Sequence, residues 1–266
     1  MPNSGPEAIE GADNDPQLFV TALARGLAVI RAFGPERLHP TLSDVAKATN
    51  LPRATVRRCL HTLVELGYAE TNGRFFSLTP KILMLGYSYL SSTPLPRLAQ
   101  PFLERVSERS NESCSLSVLE GDEIVYVARS ATRRIMSVDL SVGSRLPAYC
   151  TSMGRVLLAA LPPAELERRL GAMKLEPYTA HTTVDRKALA AILQTAREQG
   201  YAISDQELEL GLRSLAVPVF GAGGKVVAAM NLSTQASRVD LDTLRGPLLD
   251  TLRLTAAEMS GVLGGY

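Results

Sequence analysis

The sequence predicts an α+β protein built as an N-terminal winged helix-turn-helix, a linker helix and a larger domain of antiparallel strands with interspersed helices. Three observations lead there. A short capped helix at 41–50 turns tightly into a longer one. The hairpin signal Asn72-Gly73 follows that pair. From residue 113 onward, apolar residues alternate in strand-length runs separated by turn residues and helical stretches.

Taken in order, FVTALARGLAVIRAFG (19–34) places Leu23, Ala24, Leu27 and Ile30 on one helical face and ends at Gly34-Pro35. TLSDVAKATN (41–50) reads as a short helix. Thr41 or Ser43 can cap it, Asp44 suits the positive end of its dipole, and Asn50 suits the turn that follows. LPRATVRRCLHTLVELGY (51–68) turns Val56, Leu60, Leu63 and Val64 inward, with Arg53, Arg57, Arg58 and His61 opposite and Gly67 as the stop. Alone, this is an ordinary amphipathic helix with a solvated basic face. Its neighbours change the reading. Tyr68–Glu70 and Phe75–Leu78 read as two strands around Asn72-Gly73, both of which tolerate positive φ.

In a winged helix-turn-helix the second helix of the pair enters the major groove and the hairpin lies against the backbone. Arg53, Ala54 and Thr55 then occupy the first turn, where side chains reach base edges. Arginine reads guanine bidentately, and the Ala and Thr methyl groups can contact the thymine methyl. Arg57 and Arg58 extend along the groove, and Arg74 at the hairpin tip is placed to reach a phosphate.

KILMLGYSYL (81–90) is apolar nearly all round. A linker helix between domains and a fourth core helix fit that pattern equally well. Pro94 and Pro96 break the chain, and LAQPFLERVSERS (98–110) resumes a helix with Leu103 and Val106 inward. Strands are expected at 113–120, 123–130 and 135–143, then helices at 154–161, AELERRLGAM and RKALAAILQTAREQG. YAIS, 214–220 and 225–233 read as strands, and 241–263 as a closing helix. The expected domains are a disordered tail (1–16), a winged helix-turn-helix (17–80), a linker (81–96) and a second domain (97–266).

Composition narrows the function. Lys and Arg total 28 against 27 acids, so net charge indicates no anionic partner, but residues 17–80 carry eight basic against four acidic residues. The first 16 residues hold Glu7, Glu10, Asp13 and Asp15 and no base. Three cysteines without a CxxC pair fit a reducing cytoplasm and argue against a disulfide framework or structural zinc. No signal peptide or bilayer-length apolar run is present. His39, His61 and His181 lack metal-ligand spacing. GAGGKV (221–226) lacks the first P-loop glycine and joins two strands, which suits a hairpin turn. CTSMGR (150–155) is not the GxSxG of a hydrolase elbow. It does place Thr151 and Ser152 at a helix start, where simple capping and the binding of a carboxylate or phosphate are equally open readings. No metal and no cofactor is expected, and no catalytic set emerges to make the chain an enzyme.

LARGLAVIRAF, LSDVAKATNLPRATVRRCLHTLVELGY, FFSLTPKILMLG, SRLPAYCTSMGRVLLA, DQELELGLRSLAVPVF and AAMNLS, in that order, resemble an IclR-family transcriptional regulator over about residues 19–262. RATVRRCLHTL, LTPKILMLGYSYL and GSRLPAYCTSMGRVLLA further resemble the branch that controls aromatic-acid catabolism, including β-ketoadipate-pathway regulators. The resemblance implies a GAF-like effector domain, operator DNA as partner, a small carboxylate effector, and a homodimer or a tetramer of dimers. It also implies effector contacts at Ala148–Gly154 (Ala148, Tyr149, Thr151, Ser152, Met153, Gly154), at Asp205 to Ser214, and at Asn231 and Ser233. Arg133 and Arg134 are candidates for a second carboxylate. Relatives that bind small oxo-acids commonly carry cysteine at the position of Ser214 and serine at that of Asn231, which points to a different ligand here.

Overall fold

The computed structural model describes residues 18–34, 37–92, 94–131 and 140–264. The chain divides into two compact units, Met1–Ser92 and Thr93–Tyr266.

In the first unit, α1 (Thr21–Arg31), α2 (Leu42–Thr49) and α3 (Arg53–Glu65) surround a small core in which Val29, Val45, Val56 and Leu60 are fully buried. The expected inward face of α1 is only partly used: Leu23 and Leu27 remain 62% and 49% exposed. The last turn, through Val29, Ile30 and Ala32, supplies the packing instead. The short helix forms as expected. Thr41 Oγ1 accepts from the Asp44 N–H (3.3 Å) while the Asp44 carboxylate accepts from the Thr41 N–H (2.8 Å), a reciprocal capping box. Asn50 then adopts φ 52° and turns the chain into α3.

β1 (Ala69–Thr71) and β2 (Phe76–Leu78) pair antiparallel with Thr71 opposite Phe76. The loop therefore spans four residues, longer than the tight two-residue turn that Asn-Gly suggests. Only Gly73 takes positive φ (91°). Asn72 works through its side chain, whose Oδ1 accepts from the N–H groups of Arg74 (3.2 Å) and Phe75 (2.9 Å). α4 (Leu83–Ser92) follows, with Leu83, Met84, Leu85, Tyr87 and Tyr89 all exposed.

The second unit begins with α5 (Pro94–Ser110), four residues before the helical pattern read from 98. Proline is accommodated in a first turn because its missing N–H has no intrahelical acceptor there. Leu103 and Val106 are fully buried, as the period predicts. A six-stranded, wholly antiparallel sheet forms the middle layer in the order β5-β4-β3-β8-β7-β6. Its strands are β3 (Ser113–Glu120), β4 (Glu123–Ser130), β5 (Arg145–Pro147), β6 (Ala202–Asp205), β7 (Leu212–Phe220) and β8 (Val226–Gln235). The strand expected at 135–143 falls mostly on residues 132–139, outside the described residues; β5 lies just beyond it.

One sheet face packs on α5 and the C-terminal helix through Cys114, Leu116, Leu215, Val217, Met230 and Leu232. The other carries α6 (Ser152–Ala159), α7 (Pro163–Ala172) and α8 (Arg186–Gln199). The closing helix is interrupted, as a single run of helical periodicity does not suggest. A short α9 (Leu241–Thr243) passes through a wide turn at Leu244–Leu248 before α10 (Leu249–Gly264). Pro247 cannot donate a backbone hydrogen bond, and Gly246 (φ −95°, ψ −109°) absorbs the irregularity. The glycine-rich 221–226 segment is the turn between β7 and β8, with Gly223 and Gly224 both at φ 71°.

Candidate nucleic-acid interface and ligand cavity

In the first unit, the outer side of α3 presents Arg53, Ala54, Arg57 and Arg58 to solvent, while Thr55 is half-buried. The period explains this: Val56, Leu60 and Leu63 face the core, so the arginines face away from it. Asn50 and Pro52 start the helix sharply, leaving Arg53 in its first turn. Arg74 stands exposed on the β1–β2 loop, its guanidinium 5.1 Å over the Phe75 ring. Cys59 is half-buried beside the core and His61 is exposed. The β1–β2 hairpin is also tied to the segment before α2. His39 Nδ1 lies 2.7 Å from Ser77 Oγ, and the Phe76 N–H donates to Pro40 O (3.0 Å).

In the second unit, a cavity of about 250 Å³ lies among the start of α6, the 208–212 segment and strands β6, β7 and β8. Of the expected effector residues, Thr151, Ser152, Met153, Ser214, Asn231 and Ser233 line it. Ala148, Tyr149, Gly154 and Asp205 do not, and each has visible work elsewhere. A Cβ on Gly154 would stand 2.1 Å from Ala148 O, so glycine here lets the loop fold against the helix start. The Tyr149 hydroxyl donates to Glu176 O (2.6 Å) and accepts from the Glu176 N–H (2.8 Å). Asp205 is clasped by Arg213 at 2.8 and 3.0 Å, and these hydrogen bonds hold its carboxyl below the usual range. Arg133 and Arg134 lie outside the described residues.

Tyr126, Ser204 and Gln235 also line the cavity from outside the segments that the sequence pointed to, whereas Cys150, Leu208 and Leu210 lie within the expected 148–154 and 205–214 stretches without having been singled out. Their signal was present in part. Along β3, Cys114 and Leu116 turn to one face while Ser113, Ser115 and Ser117 turn to the other, and all five are buried. Small polar residues opposite an apolar face mark a second buried layer with room in it.

The cavity wall is polar, and several of its groups are committed to one another. Thr151 Oγ1 caps α6 by accepting from the Gly154 N–H (3.2 Å), and Ser204 Oγ donates to Cys150 O (2.8 Å). Asn231 Oδ1 accepts from the Ser115 N–H (3.1 Å) and its Nδ2 donates to Ser233 Oγ (3.0 Å). One group stands out. Ser152 Oγ is buried and finds no hydrogen-bond partner among the described residues. It sits in the first turn of α6, where backbone N–H groups lack intrahelical acceptors and the dipole favours an anion. Burial pushes the Tyr126 phenol and the Cys150 thiol up to about 12, so both stay protonated at neutral pH. Among the described residues, no group of three His, Cys, Asp or Glu side chains could hold a metal ion.

Two family models match the chain: the IclR helix-turn-helix domain over residues 22–73 and the bacterial transcriptional regulator IclR C-terminal domain over residues 87–261. The chain belongs to the IclR family. It is 50% identical to the Pca regulon regulatory protein of Pseudomonas putida, over 97% of this chain and 88% of that protein. A transcriptional regulator structure from Rhodococcus sp. RHA1 shares 51% identity at a TM-score of 0.83, covering 93% of this chain and 99% of its own. An IclR homolog from Microbacterium hydrocarbonoxydans, complexed with 4-hydroxybenzoate, shares 28% identity at a TM-score of 0.78 and covers 92% and 100%. The IclR resemblance read from the motifs is thus borne out, as is its leaning toward regulators of aromatic-acid catabolism. This IclR-family chain is a DNA-binding transcriptional regulator with a helix-turn-helix unit and a separate effector-type domain. Among its described residues, no helix is long and apolar enough to cross a membrane.

Proposed function

We propose that this regulator changes its grip on operator DNA when a small carboxylate, an aromatic acid or a β-ketoadipate-pathway metabolite, fills the cavity beside α6. The observation that carries the reading is Ser152 Oγ, a buried hydroxyl without a partner at a helix N-terminus. An unsatisfied buried hydroxyl is costly, and a carboxylate would satisfy it together with the free N–H groups of the first turn. The relative bound to 4-hydroxybenzoate supports an aromatic acid. Arg53, Ala54 and Thr55 read bases, Arg57 and Arg58 extend the contact, and Arg74 holds phosphate. Thr151, Ser152, Met153, Ser214, Asn231 and Ser233 surround the effector.

The exposed apolar side chains of α1 and α4 support a homodimer, or a tetramer of dimers, in which 81–96 links the two functions. The protein works in the cytoplasm and catalyses no reaction; its buried thiol and phenol are proton-bearing wall groups rather than nucleophiles. The test is a thermal-shift screen with protocatechuate, 4-hydroxybenzoate, catechol, muconate and β-ketoadipate, followed by operator binding with and without each hit. A bound effector raises the melting temperature by mass action. Equal operator affinity with and without a saturating hit would overturn the regulatory reading, because a ligand shifts an equilibrium only by its differential affinity for the two states.

A further inference from the structure

Behind the cavity wall lies an ion pair that does not touch the cavity. Arg155 and Glu207 are nearly fully buried, with side chains 3% and 9% exposed. They meet as a fork, Nη1 to Oε1 at 2.6 Å and Nη2 to Oε2 at 2.7 Å. Every remaining arm of the pair holds a segment in place. Arg155 Nε donates to Tyr149 O (2.9 Å) in the loop leading into α6, and Nη1 also donates to Ile203 O (3.2 Å) on β6. Glu207 Oε2 accepts from the Thr183 N–H (3.0 Å), and its carbonyl accepts from Thr182 Oγ1 (2.5 Å). Arg155 lies one turn along α6 from Ser152, and Leu208, the first residue of the opposite cavity wall, follows Glu207 directly.

We propose that Arg155 and Glu207 are positioning residues for the effector: their fork sets the spacing between the α6 N-terminus and the 208–212 wall, and so the width of the carboxylate site. The proposal rests on the effector reading above. Stability alone is a poor account of the pair, since desolvating two charges offsets most of their attraction and apolar replacements of similar volume are often neutral or stabilising. What a bidentate guanidinium–carboxylate pair supplies is a fixed geometry between two chain segments. A binding site depends on such support behind its contact residues.

The full-length protein, with 4-hydroxybenzoate and protocatechuate as probes, tests this by calorimetric affinity and ligand-free melting temperature. The double variant Arg155→Met/Glu207→Leu is expected to fold but to melt below wild type, because the Tyr149 and Ile203 carbonyls and the Thr183 N–H lose their partners. Its affinity should fall about tenfold, the lower end of what losing an outer supporting partner costs at metal sites. Arg155→Lys, which keeps the charge but loses the fork, should also weaken binding. Leu193→Ala, a fully buried change in α8, should lower the melting temperature and leave affinity unaltered. Wild-type affinity in the double variant or in Arg155→Lys would overturn the proposal. So would affinities that track melting temperature across all variants, or a double variant that does not fold, because the pair would then act through stability. Failure of both probes to bind wild type would instead remove the aromatic-acid reading, and the positioning proposal with it.

Discussion

Gly154→Ala sets two physical effects of opposite sign against each other at one position. Gly154 lies in the first turn of α6, where helix propensity alone favours alanine by up to about 1 kcal/mol. The new methyl group, however, would stand 2.1 Å from Ala148 O, 2.3 Å from its Cα and 2.5 Å from its carbonyl carbon. All three obstacles are backbone, so no side chain can rotate away. Either the 148–151 loop or the start of α6 must move by more than an ångström to restore ordinary contact. Overpacking of this kind costs about 3 kcal/mol, the upper part of the usual range, because the loop is also held by Thr151 capping and by Arg155 on Tyr149 O. The net is a loss of about 2 kcal/mol, or roughly 4–8 °C in melting temperature for a unit of this size. Gly171→Ala in α7 is the matched control. Nothing lies within 4 Å of its new methyl, so propensity acts alone and the melting temperature should hold or rise. Thermal unfolding of both variants by circular dichroism decides. A Gly154→Ala protein as stable as wild type would refute the steric argument and the tightness of this loop.

Three further outcomes are expected. Ser152→Ala removes a buried hydroxyl without a partner, so the ligand-free protein should gain up to about 1 kcal/mol while the effector-induced thermal shift shrinks; an unchanged shift would take Ser152 out of the site. Arg53→Ala should relax preference at one base pair by about 1–3 kcal/mol, whereas Arg74→Ala should weaken all sequences alike and lower the salt slope by about one; operator titrations at several salt concentrations separate the two. The Asp205 carboxyl is held low by hydrogen bonds from Arg213, so its folded-state pKa lies below its unfolded one. Its contribution to stability is therefore present above the unfolded carboxylate pKa and fades as pH falls through the folded one, and Asp205→Asn should flatten that acid limb in denaturant titrations.

Local rules with a side-chain mechanism made much of the fold readable before any coordinates. Thr41, Asp44 and Asn50 name both ends of α2 because capping and left-handed turns are decided within a few residues. In the structure Asp185 and Gly200 bound α8 by the same rules, though only its periodic stretch was read from the sequence. The failures share another cause. Leu23 and Leu27 have the right period for a core face, yet period cannot say how far the core extends along a helix. The 241–263 run has helical periodicity throughout, and the break came from Pro247 and Gly246, whose effect on the backbone outweighs the pattern around them.

The two sites differed in readability for a reason that lies in their geometry. The α3 arginines all lie in one helix, so placing the helix places all of them, and a single local pattern suffices. The cavity is assembled from β4, the α6 start, the 208–212 segment and β8, which are far apart in sequence. Only the α6 start announces itself, through Thr151, Ser152 and the glycine that packs on Ala148. The rest is encoded as an alternation in which serine, alanine and asparagine occupy the face that a solvent-exposed strand would fill with charge. Asn231 illustrates the consequence. Its amide is committed to Ser115 and Ser233, so it shapes the floor by fixing two neighbours, while Ser152 is, among the described residues, a fully buried cavity hydroxyl without a partner. On the proposed reading, specificity toward a carboxylate comes from one helix start held at a set distance from the opposite wall. Small shifts behind that wall, at Arg155 and Glu207, become changes in affinity without any contact residue being altered.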